Sequence, residues 1–299
     1  MREKALLTGG SGFLGRVILA TITDWEITTL ARTNADINTD IINTIPILPI
    51  IDVVIHCAGK AHLVPKTDVE KQDFFNVNVQ GTQNLLGALA MQPKLPRAFV
   101  LISTVAVYGK QCGTNFNEET PLMATDAYGL SKIKAEKIVS EWCEKNHVKC
   151  TILRLPLLAG SNPPGNLGAM IRGIKKGYYF NIAGGKAKKS IVLANDVAKI
   201  IPTAAEMGGT YNLTDGVHPS FAQLSKMISS QLKKKPPLNM PYFIAKALAI
   251  TGDLLGKISP INSDKLHKII SDLTFNDSKA IEILKWKPQS VLKSFTLSQ

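Results

Sequence analysis

The apolar residues of this chain fall into two periods that alternate along its first half. Residues 4–8, KALLT, form a short apolar run into a cluster of glycines, and GRVILATITDW behind it carries apolar positions at helical spacing. EITTLAR then reads as a second strand, so the chain opens β-α-β. DVVIHCAG (52–59), RAFVLISTVAVYG (97–109) and CTILRLPLLAG (150–160) are further buried-type strands rich in β-branched residues. Between them the spacing predicts one helix from about Val69 to Met91, despite two glycines, and another through DAYGLSKIKAEKIVSEWCEKNH. This alternation predicts an α/β chain with a Rossmann-type doubly wound parallel sheet covered by helices on both faces.

Past Pro156 the regularity weakens. GSNPPGNLG is a turn-rich break, followed by a helix near 166–176, short strands near 189–193 and 210–213, and more helices. We read residues 1–160 as a dinucleotide-binding domain. Residues 161–299 then form a smaller, mainly substrate-binding α/β domain, with some segments returning to the first. No internal repeat stands out. The longest apolar stretch, 242–258, is interrupted by Lys246 and Asp253 and is too short to span a bilayer. It reads as an amphipathic helix, with docking on a membrane surface the lesser alternative.

With 45% hydrophobic and 19% charged residues among 299, disorder is excluded. The net charge of +12 is spread out, and runs such as Lys233–Lys235 stand alone, which fits a solvated basic surface better than a nucleic-acid interface. The start reaches a strand and a glycine turn within ten residues, leaving no room for a secretion signal. Cys57, Cys112, Cys143 and Cys150 show no metal-binding or disulfide spacing, so a reducing, cytoplasmic setting is expected.

The glycines fit G-x-G-x-x-G at Gly10, Gly12 and Gly15, and T-G-x-x-G-x-x-G at Thr8, Gly9, Gly12 and Gly15. Either pattern alone is weak. Between a buried strand and a helix, however, the backbone N–H groups of such a turn can meet a pyrophosphate with no Cβ in the way. Where an NAD site places an acid at the end of the second strand, this chain has Arg32, which favours NADP(H) over NAD(H). Asp36 and Asp40 remain within reach of an adenosine, and Arg32 also reads as a surface side chain. Tyr128 and Lys132 stand four apart on a predicted helix and so share a face, where an ammonium would draw the phenol toward useful acid–base range.

Taken together with STVAVYG after a strand and NVNVQGT on a helix, these motifs resemble the extended short-chain dehydrogenase/reductase family, in particular its nucleotide-sugar epimerase, dehydratase and 4-ketoreductase members. The resemblance runs from the glycine turn to SKAIEILKWKP and is strongest over residues 1–160. It implies Tyr128 as catalytic acid/base and Lys132 as the residue that lowers its pKa and binds the nicotinamide ribose. It also implies Thr104 as the hydroxyl that holds the reacting sugar oxygen. For the cofactor it implies Gly9, Gly12, Phe13, Leu14 and Gly15 at the turn, Arg32, Asp36 and Ile37 at the adenosine, and Cys57, Ala58 and Gly59 along the dinucleotide. Asn78 and Leu155 complete that set.

For a nucleotide-diphosphate sugar, the resemblance implies Thr104, Asn166, and Lys188 or Lys189. Many relatives carry arginine at the last position, and lysine offers a point charge without bidentate geometry. His56 lacks a second ligand at metal spacing, and His218 reads as a turn histidine before Pro219. Dehydratases carry an acid pair directly after the Thr, whereas Val105 and Ala106 follow here, which disfavours 4,6-dehydration. Epimerisation and 4-keto reduction of a UDP-N-acetyl sugar for surface polysaccharide remain. A non-catalytic dinucleotide sensor is the alternative from another class, although such proteins often lack the Tyr or the Lys. The resemblance further implies a homodimer joined by a four-helix interface.

Overall fold

A computed structural model describes residues 2–61, 63–255 and 262–297, so the tail of the expected 242–258 helix, 256–258, lies outside the described residues. Along the first half run β1 (Lys4–Thr8), α1 (Phe13–Thr21), β2 (Glu26–Ala31), β3 (Ile37–Asn38), β4 (Val53–His56) and α2 (Asp68–Phe75). A π-helical turn, Asn76–Gln80, joins α2 to α3 (Gly81–Ala90), so the predicted 69–91 helix is one rod with a bulge inside it. Then come β5 (Ala98–Thr104), β6 (Gly113–Phe116), α4 (Ala127–Lys145), β7 (Lys149–Leu155) and β8 (Leu157–Ala159). The second half supplies α5 (Gly165–Lys176), β9 (Asn181–Ile182), β10 (Ile191–Leu193), α6 (Ala194–Met207), β11 (Gly209–Asn212), α7 (Phe221–Gln231), β12 (Asn239–Met240) and α8 (Tyr242–Leu255). It ends with α9 (Ser263–Ile270), β13 (Leu273–Phe275), α10 (Ser278–Leu284) and α11 (Val291–Ser294).

Seven strands form one parallel sheet in the order β11-β7-β5-β4-β1-β2-β3. The period of two in β1 sorts its side chains by face. Ala5 and Leu7 join Val53, Ile55 and Val100 under α1 and α6, while Leu6 joins Val54, Phe99 and Leu101 under α3 and α4. A separate apolar core built from α5, β10, α7 and α11, including Leu167, Met170, Leu193, Ile228 and Val291, organises the second half. The separation is incomplete: α6, α10 and Trp286 pack on the sheet's α1 face, and residues 209–212 return as its edge strand β11 beside β7.

One strand is shorter than its sequence suggests. The run at 97–109 stops being strand at Thr104, and Val105–Tyr108 form a 3₁₀ turn closed by Gly109 at φ +65°. The Thr104 hydroxyl accepts the Ala106 N–H (3.2 Å), and the Tyr108 hydroxyl donates to Asn212 Oδ1 (2.7 Å). Those bonds outweigh the strand propensity of the β-branched run.

Candidate active site

The strand order reverses its sense of progression between β1 and β4, which opens a crevice at their carboxyl ends. The glycine turn fills one side of it. Gly9 takes φ +73°, and a Cβ there would lie 2.6 Å from the Ala58 nitrogen; a Cβ at Gly15 would lie 2.1 Å from the Gly9 carbonyl oxygen. Both positions therefore demand glycine, and Gly12 begins α1 with no side-chain cap on the helix amides that follow. This bare, Cβ-free cradle at a helix N-terminus fits a pyrophosphate. Phe13 and Leu14 open α1, and Leu14 is buried.

Cys57, Ala58 and Gly59 follow β4; Cys57 and Ala58 lie directly against this turn, and the Cβ position of Gly59 faces Asn78 Oδ1 at 3.1 Å. A chain of hydrogen bonds fixes them. The Ala58 N–H donates to Thr8 Oγ1 (3.1 Å), which pairs with His56 Nδ1 (2.7 Å), while His56 Nε2 pairs with Thr82 Oγ1 (2.9 Å). Because the Thr82 hydroxyl donates its proton to the Asn78 carbonyl (2.7 Å), Nε2 must carry the imidazole proton and Nδ1 must accept from Thr8. Burial and the nearby Lys132 charge push His56 down to about 3, so it is neutral and serves as a strut. Among the described residues there is no cluster of three metal-ligating side chains.

Asn78 sits in the π-helical turn, buried, where its Oδ1 accepts the Lys60 N–H (2.7 Å) and its Nδ2 donates to the Lys60 carbonyl (3.1 Å) and to Ser131 Oγ (2.9 Å). Ser131 Oγ donates a hydrogen bond to the Tyr128 carbonyl (2.7 Å), so Asn78 ties the crevice loop to the turn of α4 that carries Tyr128.

Thr104 ends β5 beside Leu155, the last residue of β7. Burial raises the Tyr128 pKa, the Thr104 hydroxyl opposes the rise, and the Asp126 carboxylate adds to it. This reverses the shift predicted from the Tyr-x-x-x-Lys spacing. The Lys132 ammonium donates instead to the Ile102 carbonyl (2.7 Å), and burial lowers Lys132 to about 8 against the opposing pull of Glu136 and Cys57. Burial raises the Cys57 thiol to about 11, leaving it protonated.

Arg32 is exposed just past β2. Asp36 is anchored more firmly, accepting from the Thr29 N–H (2.8 Å) and hydroxyl (2.7 Å), bonds that lower its pKa, while Ile37 begins β3 alongside. In the second half, Asn166 is exposed on the first turn of α5, and Lys188 is exposed. Lys189 is held differently, its ammonium donating to the carbonyls of Lys268 and Ser271 (2.9 Å each). His218 stands in a turn capped by Asp215, its Nδ1 3.0 Å from Ser190 Oγ, which suits the turn reading.

Sequence reasoning missed the support beneath the site. Glu136 accepts from Ser103 Oγ (2.5 Å) and pairs with Arg154 (2.8 Å), whose guanidinium also donates to the Tyr108 hydroxyl (3.0 Å). The only hint was a Glu one helical turn beyond Lys132. Its partner Arg154 lies on β7.

The sequence profile of the NAD dependent epimerase/dehydratase family matches residues 5–214. A UDP-glucose 4-epimerase of Vibrio cholerae is 27% identical over 98% of this chain and 93% of its own. An N-acetyl-alpha-D-glucosaminyl-diphospho-ditrans,octacis-undecaprenol 4-epimerase of Escherichia coli O157:H7 is 27% identical over 93% of this chain and 89% of its own. The fold matches that of UDP-glucuronic acid 4-epimerase from Bacillus cereus, solved with UDP-glucuronic acid and NAD, at a TM-score of 0.75 and 19% identity over 98% of this chain and 96% of that one.

Proposed function

The chain belongs to the NAD dependent epimerase/dehydratase family, and from that premise we propose that it is an epimerase or 4-ketoreductase acting at a sugar carbon of a UDP-N-acetyl sugar destined for surface polysaccharide. The observation that carries the reading is the gathering of Thr104, Tyr128 and Lys132 at the carboxyl end of the sheet, across from the Cβ-free glycine cradle. The family's dinucleotide supplies hydride acceptance and return when bound. The amides that follow Gly9 and Gly12 hold its pyrophosphate, and Asp36 and Ile37 border its adenosine. Arg32 supports a preference for the 2′-phosphate of NADP(H).

Tyr128 takes the proton from the sugar hydroxyl as the carbinol is oxidised and gives it back on reduction, while Thr104 holds that oxygen. Lys132 supplies positive charge near the nicotinamide ribose. Lys188, the exposed member of the lysine pair, would meet the sugar nucleotide's diphosphate, with exposed Asn166 as a further substrate contact. Dehydration is the less favoured reading, because Val105 and Ala106 follow Thr104 in the 3₁₀ turn in place of the acid pair that dehydratases carry. A non-catalytic sensor would have no need of the complete Thr-Tyr-Lys set. Four unpaired cysteines support a cytoplasmic setting.

The test is direct. Tyr128→Phe is expected to lower turnover at least about a hundredfold with dinucleotide binding retained; full activity in that variant would overturn the assignment. Dinucleotide released from freshly purified protein separates the two activities. Tightly held, stoichiometric cofactor supports an epimerase, and an empty protein that prefers NADPH supports a reductase.

A further inference from the structure

We propose that α8 docks the protein onto an anionic lipid bilayer. This goes beyond the sugar-nucleotide reading, and its failure would leave that reading untouched. The apolar face of α8 turned to the rest of the molecule is made of small residues, with Ala245, Ala249 and Gly252 buried at i, i+4 and i+7 and the two alanines packed with Leu266 of α9. On the opposite side Phe243, Ile250 and Leu254 are 71, 50 and 85% exposed at i, i+7 and i+11. Ile244, Leu248 and Leu255 flank them, also exposed. An ordinary surface helix turns a charged face to water. Here only Lys246 and Asp253 carry charge among 14 residues, and Asp253 is engaged by the N–H and hydroxyl of Ser263.

The apolar surface continues past the helix. β12 pairs with β9, and the Asn181 N–H donates to the Leu238 carbonyl (2.9 Å), which sets exposed Leu238 beside exposed Phe180.

Charge selects the occupant. Of the chain's 35 Lys and Arg and 23 Asp and Glu, residues 161–299 hold 19 and 8, leaving 16 and 15 for residues 1–160. The excess positive charge therefore sits in the half that carries α8. Exposed Lys233, Lys234 and Lys235 lead into β12, Lys246 edges the apolar face, and Lys268 stands on α9. A second copy would bring two such positive halves together, whereas an apolar helix rimmed by lysines complements an anionic leaflet. No helix among the described residues is long and apolar enough to cross a membrane, and α8, about 21 Å long, would lie in the interface plane.

The experiment is co-sedimentation of the full chain with vesicles of phosphatidylcholine alone or with about a quarter phosphatidylglycerol. The expected result is sedimentation with the anionic vesicles only, weakened by raised salt. The pair Phe243→Glu and Leu254→Glu is expected to lower binding on the order of tenfold or more, and so is the triple Lys233→Glu, Lys234→Glu, Lys235→Glu. Retained dinucleotide binding would show that each variant is folded. Should the acidic pair fail to fold, Phe243→Trp replaces it, and a blue shift in emission on anionic vesicles supports insertion. Equal sedimentation with both vesicle types, an acidic pair that binds like the parent protein, or no blue shift would overturn the proposal. So would a dimer that the acidic pair converts to monomer without any vesicle binding by the parent protein, since a second copy would then cover the face.

Discussion

His56 shows what a single buried side chain can dictate. Its protonated form has no place in the chain from Ala58 through Thr8 to Thr82, so folding holds the imidazole neutral down to about pH 3. The unfolded chain binds a proton at this position below about pH 6.5, and between those two values the unfolded state carries more protons. Stability is therefore full above about pH 6.5 and falls as the pH drops, by up to about 1.4 kcal/mol per unit from this group. Urea unfolding at several pH values is expected to show a shallower slope for His56→Gln than for the parent protein. Lys132 shows the same conflict between burial and charge, at a position assigned to chemistry. Replacing it with Met removes a buried cation at the loss of the Ile102 hydrogen bond. Lys132→Met is expected to raise the unfolding free energy by about 1–3 kcal/mol while abolishing turnover. Spacing and resemblance single out Thr104, Tyr128 and Lys132 as candidates. The direction of the Tyr128 shift was not legible there, because it depends on burial and on an ammonium that turns toward a strand carbonyl distant in sequence.

Among the elements, the strand-turn-helix at Thr8–Phe13 was legible because its signals are local. A buried strand, left-handed glycine geometry and an amphipathic helix stand in succession. Gly9→Ala would force a Cβ onto the Ala58 backbone while leaving the alanine at φ +73°. A loss of about 1–3 kcal/mol of stability is expected, together with weakened dinucleotide binding, measurable by thermal shift and titration. The π-helical turn at Asn76–Gln80 gave no such signal. Its sequence, NVNVQ, suits an ordinary helix, and the extra residue is justified only by partners in the loop at Lys60 and on α4 at Ser131. The end of β5 was misread for a related reason. Tyr108 finds Arg154 on β7, and Asn212 only once the second half of the chain has come back to the sheet.

At the scale of the whole molecule, the homodimer expected from resemblance can be tested at one surface. α3 and α4 present a shallow groove lined by Leu86, Gly87, Ile138 and Trp142. The Cβ position of Gly87 has only Ile45 Cδ1 near it, at 3.8 Å, so Gly87→Arg can be accommodated in the monomer and would block a helix packed across the groove. Sedimentation velocity is expected to give a dimer for the parent protein and a monomer for the variant; a parent monomer would remove the interface. The alternation of strands and helices made the sheet legible. Its outermost member, β11, comes from the part of the chain read mainly as a separate substrate-binding unit, and that membership bears on biogenesis. While a ribosome has released only the first 160 residues, six strands can assemble, yet β7 still shows an unpaired edge and the sheet face destined for α6 stays bare. Nascent chains would be stickiest during synthesis of the next fifty or so residues, so the interval before β11 emerges is when a chaperone would be needed, and a product truncated at residue 160 should accumulate as aggregate.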